Sequence, residues 1–337
     1  MVSKEKKVDD WEPEEYGDGP APIQRITSLK LDSVTYGLLN GVKVENFVRK
    51  DYKITTFKST DTVGSAVKAL SDHKLLSAPV FDDNGQCLGF CDIRDIMQFI
   101  ITNITTGSDA VTADALKTAG KHISSTPLKD VVNFSGQNPY IPVFEHQKLS
   151  EGAQFLRKPH VHRAAIINSS LEVTGILSQS DIIRHVAKHL DDTDALKELG
   201  RHTVKSLKDK SSDSKGETQL ESISSQATAV AALSAMRVKG VSVIAVIDGG
   251  KLVGEFSCSD LRGLTSDNFP RMLSSVSDFL KNFSTDGPHH TVQSDATLKD
   301  LLSLISEKHC HHVWVVDSDH KPTSLISLTD VMMFITQ

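Results

Sequence analysis

The chain has 337 residues, 39% hydrophobic and 24% charged, and a net charge of −6. That balance suits one repeat assembly or several domains with substantial cores, and it gives no overall attraction to nucleic acid or an anionic membrane. Four scattered cysteines without a CxxC framework fit a reducing compartment, and no apolar run approaches the roughly 18 residues that a membrane helix needs. The expectation is a soluble, cytoplasmic protein, with the nucleus also open.

Residues 1–40 read as a mobile leader. Its first half is charged, holds Pro and Gly, and lacks the apolar core of a signal peptide; Val2 excludes N-myristoylation. In 41–102, Val63, Ala66, Val67 and Leu70 fall at i, i+3, i+4 and i+7, a helix opened by the caps of Asp61-Thr62. The strands SAPVFD (77–82) and the start of GFCDIRDI (89–96) follow, and then a second helix. The stretch 105–126 reads as a linker, partly helical. The order recurs in 127–190 with AAIIN (164–168) and GILSQSDI (175–182), and in 203–266 with VIAVID (243–248) and GEFSCSDL (254–261). It recurs again in 274–337 with VWVVD (313–317) and SLISLTDV (324–331). The Ser-rich run 209–218 is expected to be an exposed loop.

Asp95, Asp181, Asp260 and Asp330 occupy one place in the four copies. Each lies 13 positions after the Asp or Asn ending the upstream strand, except in the third copy, where the turn Gly249-Gly250 shortens the distance to 12. Each unit therefore reads strand, helix, strand, turn, strand, helix. At about 60 residues such an α/β unit buries too little apolar surface alone, so four copies suggest two pairs.

The segments with Asp three residues beyond a hydroxyl, each after a hairpin and before a helix, resemble the CBS (cystathionine β-synthase domain) repeat. Four in tandem, with His162-Arg163 ahead of the second hairpin, resemble the regulatory gamma subunit of the AMP-activated/sucrose-non-fermenting protein kinase family over roughly residues 42–337. The resemblance implies α+β modules: four CBS repeats paired into two Bateman modules. It also implies AMP, ADP or ATP as a regulatory ligand between repeats, and as partners a kinase catalytic subunit and a beta-type scaffold subunit. No cofactor, nucleic acid or membrane is expected.

The run KHCHHVWVVD (308–317) looks at first like a metal site. Its His309, Cys310, His311 and His312 are consecutive, however, and neighbours entering a strand point to opposite faces, so no metal is expected. Aligned by repeat, His311/His312 matches His162/Arg163, and both His162 and His311 precede their Asp by 19 positions. These four basic residues suit phosphate. Asp181, Asp260 and Asp330 suit a ribose diol, and Ser178, Ser257 and Ser327 suit the sugar or α-phosphate. The competing reading is plain helix capping by Ser-x-x-Asp, with His and Arg as surface residues.

The first repeat departs from this pattern. Asp92 replaces the hydroxyl and should repel a phosphate, and Leu76 replaces a base, so the Asp95 position should bind poorly. In the third repeat, Arg237 and Lys239 are candidates to compensate for the missing basic pair. No catalytic constellation appears, so the expectation is a non-catalytic regulatory subunit that binds adenine nucleotides and signals energy status. The alternative is an interaction scaffold with degenerate sites. Nucleic-acid binding fits the acidic charge poorly, while adenosyl compounds stay open.

Overall fold

The structure, a computed structural model, describes residues 33–48, 54–105, 111–136, 138–211, 220–284 and 289–337. The expectations for residues 1–32 and for 212–218 of the Ser-rich run lie outside the described residues.

Four three-stranded sheets share one plan. The first joins β1 (Phe57–Lys58), β2 (Ser77–Phe81) and β3 (Cys87–Asp92); the second joins β4 (Pro142–Phe144), β5 (Arg163–Ile167) and β6 (Val173–Ser178). The third joins β7 (Ser222–Ser224), β8 (Val243–Asp248) and β9 (Lys251–Ser257), and the fourth β10 (Thr291–Val292), β11 (His312–Val316) and β12 (Pro322–Ser327). In each, the first two strands run parallel and the last two form the antiparallel hairpin. Every hairpin shifts register at the same place, between Val80 and Phe81 and its equivalents. The third is closed by Gly249 and Gly250, both at positive φ, as a two-residue primed turn requires.

The helix crossing between the first two strands of each sheet is α2 (Val63–Asp72), α5 (Leu149–Leu156), α9 (Ala229–Lys239) or α11 (Leu298–Lys308). Thr62, Thr228 and Thr297 cap three of them, each accepting from a backbone N–H one turn on, and each cap is worth about 1 kcal/mol. After the hairpin come α3 (Ile93–Thr105), α6 (Gln179–Lys188) and α12 (Leu328–Ile335). In the third repeat a 3-10 helix, Cys258–Gly263, stands where a full helix was expected. The chain turns there because Asn268 closes the end, accepting from the Thr265 N–H and donating to the Gly263 carbonyl.

The repeats pair through exchanged leading segments. Residues 42–45, at the leading end of the first repeat, bond to 145–149 of the second, while 126–129, at the leading end of the second, bond to 59–63 of the first. The same exchange links 202–205 to 294–298, and 274–277 to 225–229. The first repeat is thus tied to the second and the third to the fourth, which are the two Bateman modules.

Alternation along the strands divides the packing. Ile244 and Val246 enter one core with helices of the first repeat, while Val243 and Ala245 face Trp314 and Val316 of the fourth sheet. One helical core therefore joins the first and third repeats, and a second core joins the second and fourth. The stretch read as a linker contains α4 (Ala113–Ser125). At Gly120 it packs on the segment just after the third repeat, where a Cβ would stand 2.7 Å from Phe269 Cγ. The remaining helices are α1 (Tyr36–Asn40), α7 (Asp194–Gly200), α8 (Val204–Ser211) and α10 (Val276–Phe283). None of the helices among the described residues is long and apolar enough to cross a membrane.

Candidate ligand site

The four hairpin-to-helix junctions converge on one cavity of about 680 Å³, a size suited to a nucleotide-scale ligand. It is lined by Asp92–Arg94, Ser178–Asp181, Ser257–Ser259 and Ser327–Thr329 at the helix starts. The junctions before the hairpins add Lys74–Ser77, His162-Arg163, Gly240–Val243 and His311-His312. Phe47, Ile54, Ile176 and Leu325 supply apolar wall.

The capping expected at the helix starts is present. Ser178, Ser257 and Ser327 each donate their backbone N–H to the Asp three residues on, at 2.9, 2.7 and 2.8 Å. The aspartates differ in what else they meet. Asp181 lines the cavity, with its second oxygen accepting from Arg184 at 2.7 Å. Asp260 is buried and Asp330 faces Lys208 at 3.7 Å; neither is among the lining residues, although Ser257 and Ser327 are. The sequence set is therefore brought to one cavity except for these two carboxylates.

The basic residues are partly committed. Arg163 pairs with Asp92 across the first module at 3.0 Å, and Asp92 also accepts from the Arg94 N–H as the cap of α3. Asp92, expected to repel a phosphate, is thus held by a guanidinium. His162 is neutral at pH 7, because burial, with Arg163 and Arg94 beside it, brings its pKa down to about 4. It offers a neutral N–H rather than the imidazolium expected, unless an anion restores its proton. His312 Nε2 lies 2.9 Å from Glu255 Oε2, which also accepts from Trp314 Nε1 at 2.6 Å. Burial works to raise the Glu255 pKa, but the bond and charge of His312, with the Trp314 bond, outweigh it and lower the pKa. Cys310 packs at the edge of the core shared by the second and fourth repeats, and His309 takes a left-handed φ at the end of α11. Among the described residues no three His, Cys, Asp or Glu side chains cluster as metal ligands.

Arg237 and Lys239 do not line the cavity, and Lys239 pairs with Glu221 at 2.8 Å. Asp95 is fully buried and is not among the lining residues of the cavity. It accepts from the Ser135 N–H at 2.9 Å, from Ser135 Oγ at 2.5 Å and from Asn138 Nδ2 at 3.0 Å.

Sequence reasoning missed Arg94, Ser180, Ser259 and Thr329, each the residue just before the repeated Asp and each on the cavity wall. A signal was there: a hydroxyl at one offset in the last three copies and an arginine in the first. Arg184 and Lys74 were also missed, and nothing in the repeat pattern marks them.

A family model described as CBS domain matches residues 44–102, 128–188 and 276–337, more than half of the chain. Protein SDS23 of Saccharomyces cerevisiae is 26% identical over 329 residues, covering 90% of this chain and 60% of that protein. Protein SDS24 of the same organism is 26% identical over 288 residues, covering 79% and 53%. The chain thus spans little more than half the length of these curated relatives. Among solved structures, a Methanocaldococcus jannaschii protein described as an archaeal homologue of g-AMPK aligns with a TM-score of 0.63 at 17% identity. The alignment covers 87% of this chain and 99% of that one, a likeness of fold.

Proposed function

The chain belongs to the CBS domain family, and from that premise we propose that its central cavity binds an adenine nucleotide and reports occupancy to a protein partner. The observation that carries this reading is the convergence of Arg94, His162, Arg163 and His311 from three repeats on a cavity that also holds the Asp181 carboxylate. A guanidinium forms charge-assisted bonds to phosphate worth about 1.5–3 kcal/mol each. The ribose diol donates to Asp181, Ser178 and Ser180 flank the sugar, and adenine lies against Phe47, Ile54 and Ile176. His312 joins the phosphate set when it exchanges Glu255 for the ligand. Asp260 and Asp330, with Ser257 and Ser327, serve the third and fourth repeats only where their caps open.

A ligand spanning three repeats shifts a conformational equilibrium if it binds the two states differently. By resemblance to the gamma subunit, the partner that reads this shift is a kinase catalytic subunit held with a beta-type scaffold subunit. No step of catalysis belongs to this chain in that reading. Isothermal titration of AMP and ATP into the wild type and Arg163→Ala tests it. Binding weakened at least about tenfold by the substitution supports the reading, and no binding to either protein removes it.

The scaffold alternative draws on buried Asp95 and Asp260 and on the pairing of Arg163 with Asp92. A thermal-shift panel separates the two, since a ligand at 100 times its Kd adds about 2.7 kcal/mol of stability, whereas a scaffold gives a flat panel.

A further inference from the structure

One corner of the cavity carries more than general basicity. Ser77 and Asp92 are directly paired neighbours on β2 and β3, and Arg163 of the second repeat reaches Asp92 at 3.0 Å. Ser77 is only 5% exposed, and its Oγ has no hydrogen-bond partner. Arg163 Nε, equally shielded, has none either. A buried polar atom without a partner is costly, and the two residues that carry these atoms line the cavity beside one ion pair. Donors without acceptors call for an anion with several oxygens, which a phosphate provides.

The charge of the cavity limits which phosphate. Among the described residues its fixed cations are Lys74, Arg94, Arg163 and Arg184, and its carboxylates are Asp92 and Asp181, leaving a net charge of +2 with the imidazoles set aside. A phosphomonoester carries about −1.5 to −2 at pH 7 and matches that surplus. Each further phosphate adds at least one more negative charge against the carboxylate of Asp92. The other three repeats carry serine at this position, so the excess negative charge is particular to the first.

We propose that this corner seats a single phosphomonoester, and that Asp92 restricts the cavity to nucleotides carrying one phosphate. The proposal rests on the nucleotide reading above and sharpens it to AMP over ADP and ATP. Asp92 acts as a built-in counter-anion. It holds Arg163 in place before binding, shares it with a monophosphate and excludes a longer phosphate tail.

The test is calorimetric titration of AMP, ADP, ATP and adenosine into the wild type, Asp92→Asn, Asp92→Ser and Ser77→Ala, each first shown to unfold cooperatively. Asp92→Ser installs the hydroxyl of the other repeats and keeps a cap for α3. In the wild type AMP is expected to bind at least about tenfold tighter than ATP. In both Asp92 variants ATP gains on the order of tenfold relative to AMP. Ser77→Ala weakens AMP severalfold and leaves adenosine unchanged; that outcome does not depend on the Asp92 variants folding. ATP binding the wild type as tightly as AMP overturns the proposal. So does a ratio unmoved by Asp92→Asn and Asp92→Ser, or adenosine binding as tightly as AMP; each of these leaves nucleoside binding standing. If none of the four compounds binds the wild type, the nucleotide reading itself fails, and the proposal with it.

Discussion

Asp95 and Asp181 hold the same position in the first and second repeats, yet the chain treats them differently. Asp181 is tied to its own helix start by Ser178 and to Arg184 one turn on, and it stands on the cavity wall. Asp95 is fully buried, with its oxygens taken by Ser135 and Asn138, some forty residues away. The difference begins at one residue. Where the second repeat has Ser178, the first has Asp92, which caps α3 itself and has no hydroxyl to donate to Asp95. The carboxylate of Asp95 is satisfied instead by Ser135 and Asn138, whose donors fill the hydrogen-bonding role that a sugar diol fills in a ligand site. A repeated motif fixes where a carboxylate stands; what it binds is decided by the segment that reaches it.

The largest effect expected from this contrast is on stability. Asp95→Ala leaves the Ser135 N–H and Asn138 Nδ2 without their acceptor in a buried setting and should cost about 2–4 kcal/mol in urea unfolding. Its pH dependence has a definite sign. Burial, with the charge of Asp92, raises the Asp95 pKa to about 6, against the restraining bonds from Ser135. A carboxyl with a folded pKa above its unfolded value of about 3.9 stabilises most below the unfolded value, and that contribution is lost as pH rises through the folded pKa. The cost of Asp95→Ala should therefore be greater at pH 4.5 than at pH 7.5. A cost that grows toward pH 7.5 would contradict the buried, protonatable carboxyl.

Ser135→Ala is the intermediate case. It removes one hydroxyl donor and leaves the backbone N–H and Asn138 in place, for an expected loss of about 1 kcal/mol by the same measurement. A loss near zero would mean that the segment is held by its backbone alone.

The same contrast shows what the sequence could reveal. The hairpins were legible because their evidence is local: a fixed distance from a strand-ending Asp or Asn to the helix-starting Asp, with strand alternation before it. The helix period around Val63 and Leu70 was legible for the same reason. The exchange of leading segments was not, since residues 42–45 give no sign that they bond to the second repeat rather than the first. In α4 the apolar signal was thin, with Leu116 and Ile123 as its buried hydrophobic anchors, and Gly120 reads as a breaker until Phe269 is seen against it. At the site, the basic pairs and hydroxyls were legible by alignment. The pairing of Arg163 with Asp92 and of His312 with Glu255 depends on side chains 71 and 57 positions apart. No local pattern carries such a pairing.

The smallest stability effect is expected at Asp181. Removing its carboxylate in Asp181→Ala takes away half of a capping box and a partly exposed ion pair with Arg184, whose side chain is 32% exposed. Caps cost about 1 kcal/mol and such pairs little more than a few tenths. The Ser178 hydroxyl still accepts from the N–H of residue 181, so the helix start persists. Stability should fall by no more than about 1 kcal/mol, well below the cost at Asp95, although the two residues are equivalent in the repeat. AMP binding should move the other way. On the nucleotide reading, Asp181→Ala weakens it about tenfold or more, while Asp95→Ala, measured where the protein stays folded, leaves it nearly unchanged. Equal losses of AMP affinity at the two positions would show that the Asp95 carboxylate opens to ligand after all, and the division between a structural first repeat and a ligand-facing second would fall.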